Sequence, residues 1–361
     1  MPGFGTVQDM VFRDRDSPIT KDGLIFRVYG YDHPGGSCFC DLEYAPASLY
    51  SVETMKALRE GPEGRFYKFY LDGGLKFASA QKPPYRIFHK PLQRMMVGVK
   101  LSQMSRVIRP ELRLVELLGA SGDPLIEAMR DVLGIVTDNS NLRTDDFGVF
   151  GSLAHGFHSV RHSDIDLIIY GQNKFVELME TLQNLFDDGI MENEFDDWTL
   201  NDPPLHWNFS RYSKTEYGPY QRRKLIYARY LSKNLGRRVN VEFEPVRGLN
   251  EVKNEYGDID IIESLGRVEA RGDVLDDGEG GFMPSLYPVR ISEVNANVDR
   301  HSIRRVVSYV KEFRLQLKAG ETALIRGNLE KVVTKNEEFH QITLSYGPDY
   351  FDQVLKVVQV G

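Results

Sequence analysis

The stretch Gly148–Gly171, GVFGSLAHGFHSVRHSDIDLIIYG, constrains this chain more than any other. It opens as an apolar strand, turns at Gly151-Ser152, and ends in a second apolar strand carrying Asp164 and Asp166. Aspartate forms strands poorly and is costly to bury unpaired, so the pair calls for a cationic partner. In a strand the two aspartates share one face, about 6–7 Å apart at ~3.3 Å per residue, while Ile165, Leu167 and Ile169 take the other. Carboxylates so spaced suit a divalent cation, and oxygen ligands select Mg²⁺ or Mn²⁺ over zinc. A glycine lets backbone approach a phosphate closely, and the Ser152 hydroxyl and neighbouring N–H groups can donate to it. Paired carboxylates alone also fit a structural role, pairing with arginines such as Arg161.

Together, Phe150, Gly151, Ser152, Asp164, Ile165, Asp166 and Leu167 resemble the signature of the polymerase β-like nucleotidyltransferase superfamily. More loosely, SDIDLIIYG and VLDDGEGGFMPSLYPV resemble archaeal proteins carrying such a domain between β-rich flanks. The resemblance implies metal-dependent transfer of a nucleoside monophosphate from an NTP to a hydroxyl acceptor, releasing pyrophosphate. Asp164 and Asp166 are then the metal ligands, and Gly151 and Ser152 the nucleotide-binding residues. It also implies a third acid on a neighbouring strand, to help hold the metal and take the hydroxyl proton. In RRVNVEFEPV the alternation sets Asn240, Glu242 and Glu244 on one face. Glu242 best fits the apolar–acid–apolar setting and is the expected third catalytic and metal-ligating residue. Asn240 and Glu244 remain alternatives, and an asparagine there would leave a slowed enzyme, or a nucleotide- or RNA-binding protein without turnover.

The expected fold is α+β, a nucleotidyltransferase domain of small mixed sheet and helices between two β-rich domains. Residues 1–109 read as β-rich, with the Gln81–Arg109 stretch a basic connector; 110–262 form the nucleotidyltransferase domain; 263–361 form a small antiparallel β-barrel-like domain. PELRLVELLGA, DPLIEAMRDVLGIV and NKFVELMETLQNLFDDG have helical spacing, the second starting at Asp123-Pro124. SLYSVETMKALRE, GPYQRRKLIYARYLSKNLG and PDYFDQVLKVV also read as helices, and GRFYKFYLDGGLKF as a strand.

Net charge is −7, yet Lys82–Arg113 holds eight Lys or Arg against Glu111 alone, and Arg211–Arg238 nine against Glu216 alone. These runs suit either solvated faces or a polyanion such as RNA; a protein side chain or small molecule is the alternative acceptor. Tyr220, Tyr227 and Tyr230 would line one helix face, against the core or for stacking bases. His155, His158 and His162 lack a metalloprotease spacing and read as loop histidines. Asp276–Gly281 reads as a turn, not an EF-hand. Cys38 and Cys40 have no neighbouring ligands for zinc and read as reduced thiols on a strand. No stretch approaches the ~20 apolar residues of a membrane span, and MPGFGTVQDMVFRDRDSPIT lacks a secretory pattern, so the expected location is cytoplasmic.

Overall fold

A computed structural model describes residues 10–81, 83–198 and 207–358; Lys82 of the first basic run and residues 1–9 of the N-terminal stretch lie outside the described residues. Among the described residues the chain is mixed α/β, with sheets of eight, five and six strands following one another along the sequence.

The first sheet comprises β1 (Ser17–Thr20), β2 (Ile25–Val28), β3 (Ser37–Pro46), β4 (Leu58–Gly61), β5 (Gly64–Lys68), β6 (Arg86–His89), β7 (Arg94–Lys100) and β8 (Met104–Ile108). Antiparallel β2 and β3 flank the turn-rich segment at His33–Gly36, and β3 buries Cys38 and Cys40 as free thiols. Three expectations are corrected here. The helix over SLYSVETMKALRE is one 3-10 turn leading into β4, because Leu58–Gly61 pairs with β5 in a tight hairpin. The basic connector is strand: Ile87 is buried from β6, and β7 pairs with both β6 and β3 while its charges stay outside. The strand read through GRFYKFYLDGGLKF stops at Lys68, and α1 (Gly73–Ala80) follows. A Cβ on Gly74 would meet Leu42 O at 2.1 Å, so α1 lies backbone to backbone on β3.

The central sheet runs β11-β12-β13-β10-β9, from β9 (Phe147–Val149), β10 (Ile165–Tyr170), β11 (Glu192–Asn193), β12 (Tyr227–Ser232) and β13 (Arg237–Val246). Helices α2 (Pro110–Leu118), α3 (Pro124–Asp138) and α5 (Gln172–Asp187) cover one face, after the short α4 (Gly151–His155) is counted at the strand turn. The Asp123 side chain accepts from the Leu125 and Ile126 N–H groups at 2.9 and 3.2 Å, so α3 begins where its Asp-Pro signal lies. Ile165, Leu167, Ile169, Val241 and Phe243 join these helices in one core. The opposite face carries Asp166, Ile168 and Tyr170 of β10 beside Glu242, Glu244 and Val246 of β13.

The basic helix is also corrected. Only α6 (Tyr217–Arg222) is helical; Leu225 takes a φ of 53°, and β12 then pairs antiparallel with β13 from Tyr227↔Glu242 to Ser232↔Arg237. The Ile-Tyr-rich segment gains a full ladder there and buries Ile226 and Ala228, which outweighs its helical charge spacing. Tyr220, Tyr227 and Tyr230 therefore share no helix face.

The last sheet comprises β14 (Ile259–Val274), β15 (Ser285–Val294), β16 (Ile303–Ser308), β17 (Thr322–Thr334), β18 (Glu338–Leu344) and β19 (Val354–Val357). Pairing of β14 with both β15 and β17 closes it into a barrel. The antiparallel expectation needs one correction, since β16 and β18 run parallel. β14 begins before residue 263, inside the stretch assigned to the central domain. PDYFDQVLKVV is not a helix: one 3-10 turn at Tyr350–Asp352 precedes β19, whose Val354 and Leu355 are buried against β17.

Candidate carboxylate site

The Gly-Ser turn folds directly over the aspartate strand. The Phe150 N–H donates to Asp166 O at 3.1 Å, Gly151 has a φ of 65°, and α4 ends at Gly156, also left-handed at 68°. A Cβ on Gly151 would stand 2.2 Å from Asp166 Oδ2. Glycine is thus required here by both backbone conformation and the carboxylate beside it. Ser152 follows at the start of α4 and is half-buried.

β10 and β13 run parallel in the register Asp166↔Glu242 and Ile168↔Glu244, so Glu242 lies directly beside Asp166 on the same face. Asp164 sits one residue before β10 at the exposed entry to that face. Burial, with Glu242 next, pushes the Asp166 carboxyl up to about 7. Burial raises Asp164 as well, with Glu242 adding to the effect and Arg237 and Lys68 opposing it. Asn240 points to a residue sequence reasoning missed: its Nδ2 donates to Glu194 Oε1 at 3.0 Å. Burial, then Asp164 and Glu242, pushes Glu194 up to about 7. Glu194 follows β11 at the sheet edge, and its part in this acidic group depends on the β11–β12 pairing, which left no motif.

Glu244 has another setting. It is fully buried and is held by Arg15, by Arg314 at 2.8 Å and by Lys311 at 3.1 Å. Burial alone would raise it, but these three cations hold it well below the ordinary carboxylate range. Lys311 and Arg314 also lie 3.3 and 3.4 Å from Glu242 Oε1. The cations that hold the glutamates of β13 thus come from outside the central sheet: Arg15 from before β1, and Lys311 and Arg314 from after β16.

Among the described residues no three His, Cys, Asp or Glu side chains are grouped so as to hold a metal ion. Asp164 and Asp166 fit a divalent cation in charge and donor chemistry, and the absence of a side chain at Gly151 leaves room for the Asp166 carboxylate. Glu242 faces the same side while paired to Lys311 and Arg314.

The histidines near the turn have packing roles or lie exposed. His155 packs between Tyr44 and Phe157, His158 pairs with Asp123 at 2.8 Å, and His162 is on the loop. In the second basic run, Arg222 pairs with Asp196, Arg223 with Glu321 and Arg238 with Glu192; Arg229 caps Glu194 O, and Lys224 is buried on Glu312 O. Asp276–Gly281 is a turn in which Asp276 accepts the Gly278 N–H and Glu279 pairs with Arg247.

No protein-family model and no solved structure matches the chain. It is similar to an uncharacterised protein of Methanocaldococcus jannaschii, 24% identical over 354 residues, covering 96% of this chain and 99% of that one. The similarity therefore spans all three sheets. No helix among the described residues is long and apolar enough to cross a membrane.

Proposed function

We propose that the protein is a metal-dependent nucleotidyltransferase, moving an NMP from an NTP to a hydroxyl on an RNA, a protein side chain or a small molecule. The observation that carries this reading is the in-register pair Asp166 and Glu242, with Asp164 beside them and Gly151 against Asp166. In this reading the turn at Gly151-Ser152 donates N–H and hydroxyl hydrogens to the phosphates. Asp164 and Asp166 would hold Mg²⁺ or Mn²⁺, which when bound neutralises phosphate charge. The acceptor oxygen bonds to the α-phosphorus, the bond from that phosphorus to the bridging oxygen breaks, and pyrophosphate leaves. Glu242, beside Asp166 on the same face, takes the hydroxyl proton.

A second reading keeps the nucleotide but not the turnover. It is favoured by the ion pairs of Glu242 with Lys311 and Arg314, which compete with a role in proton transfer. Calorimetry with each ribonucleoside triphosphate, with and without Mg²⁺, tests the site itself. Mg²⁺-dependent binding should vanish in Asp164→Ala/Asp166→Ala; binding unchanged by that pair removes the reading. Release of pyrophosphate in the presence of acceptor separates transferase from binder.

A further inference from the structure

The cations around the acidic face differ in how far they are already committed. Arg15, Lys311 and Arg314 are ion-paired to Glu242 or Glu244. Arg237 donates to Ser163 O at 2.8 Å and to Val160 O at 3.1 Å, holding the loop that enters β10. Lys68, the last residue of β5, is different. Its ammonium lies 5.9 Å from the ring centres of Tyr44 and Tyr70, and it has no ion pair among the described residues.

Its position is fixed by packing on the Gly-Ser helix. Lys68 lies opposite Tyr44 in the β3–β5 ladder. The buried Tyr44 ring meets His155 at 5.5 Å and Phe157 at 5.2 Å, both just beyond the Gly-Ser turn. Phe66 of β5 meets Phe157 at 4.9 Å, and a Cβ on Gly61 would strike the same ring at 2.5 Å. The β4–β5 hairpin is thus seated against the loop that ends α4. From there Lys68 acts electrostatically on Glu43 of β3 and on Asp164 and Asp166, without an ion pair to any of them among the described residues.

We propose that Lys68 is a polyphosphate-binding residue of this site, delivered by the N-terminal sheet to the side of the Gly151-Ser152 turn. The inference rests on the nucleotide reading above and deepens it: the first sheet supplies part of the substrate site. A polyphosphate bound between the turn and the aspartates adds several negative charges to an acidic face. A lysine held in no ion pair can meet those charges without first breaking one, which Lys311 and Arg314 cannot.

The test is calorimetric binding of inorganic tripolyphosphate and of NTP, each with Mg²⁺, to the full chain and to Lys68→Met and Lys68→Arg, with melting temperatures alongside. The expected result is a roughly ten-fold or greater loss of affinity for both ligands in Lys68→Met, largely restored in Lys68→Arg, with melting unchanged. Unchanged affinity in Lys68→Met overturns the proposal and leaves the nucleotide reading standing. A loss of affinity that tracks a lowered melting temperature assigns Lys68 a structural role and overturns it too. Tripolyphosphate binding that depends on Lys68 without any NTP binding keeps the proposal and overturns the nucleotide reading. Failure of the wild type to bind either ligand overturns both.

Discussion

Gly151 and Asp166 are in such close approach that a methyl group on the first would stand 2.2 Å from Oδ2 of the second, at a backbone φ of 65°. Gly151→Ala therefore combines a left-handed alanine with displacement of the carboxylate, and a cost of about 1–3 kcal/mol is expected. Gly189, with a φ of 67° and open space where its Cβ would go, is the matched control. Gly189→Ala should cost about 1 kcal/mol in urea unfolding and leave nucleotide binding intact, whereas Gly151→Ala should abolish binding.

Stability and function are expected to diverge at Asp166. Its folded carboxyl titrates near 7, against 3.8 ordinarily, so the fold holds this proton more tightly than the unfolded chain does. The burden is absent below about pH 4, grows as the unfolded carboxyl ionises, and is complete above 7. Asp166→Asn should therefore be more stable than wild type at pH 8, by on the order of 1–3 kcal/mol, with the gain shrinking towards pH 4. Urea midpoints at pH 4.5 and 8 check this, and Mg²⁺-dependent nucleotide binding should be lost in the same variant.

Glu244 should show the opposite behaviour. Removing its carboxylate leaves Arg15 and Arg314 buried without their main partner. Glu244→Ala is expected to cost about 3–5 kcal/mol. Arg314→Met combined with Glu244→Ala should cost less than the two separate losses added together, because the residues share one network. Equilibrium unfolding of the four proteins in that cycle measures the difference.

His155 gives the fold an acid-sensitive point. Burial, aided by Arg113 of α2 and Arg106 of β8 and opposed by Glu43 of β3 and Glu63, pushes its imidazole down to about 4. The unfolded chain therefore binds this proton first as pH falls below 6.5, and stability is lost progressively between 6.5 and 4. His155→Phe keeps a ring between Tyr44 and Phe157 but cannot titrate. Relative to wild type it should gain on the order of 2 kcal/mol between pH 7 and pH 4.5 in urea melts.

What the sequence disclosed follows from how local each signal is. Gly151, Asp164 and Asp166 lie within one strand–turn–strand stretch, and the alternation in Arg237–Val246 was enough to put Glu242 on a polar face. Its register against Asp166 is set by the β10–β13 ladder. Glu194, Lys68, Lys311 and Arg314 reach the same face through tertiary contacts and carry no motif of their own. The segment after Tyr217 misled because its charges recur at helical intervals, whereas the β13 ladder and the burial of Ile226 and Ala228 decided its conformation. The last eleven-residue helix failed for a similar reason: edge pairing with β17 captured Val354–Val357.

The meeting of Arg15, Arg314 and Lys311 on Glu244 bears on how the chain can be divided. Cutting away either end would strip a counterion from a carboxylate with no route to water. A fragment trimmed to the middle sheet would carry its acids intact and lose the counterions that seat Glu244, so the three sheets are bound into one unit by a single buried charge.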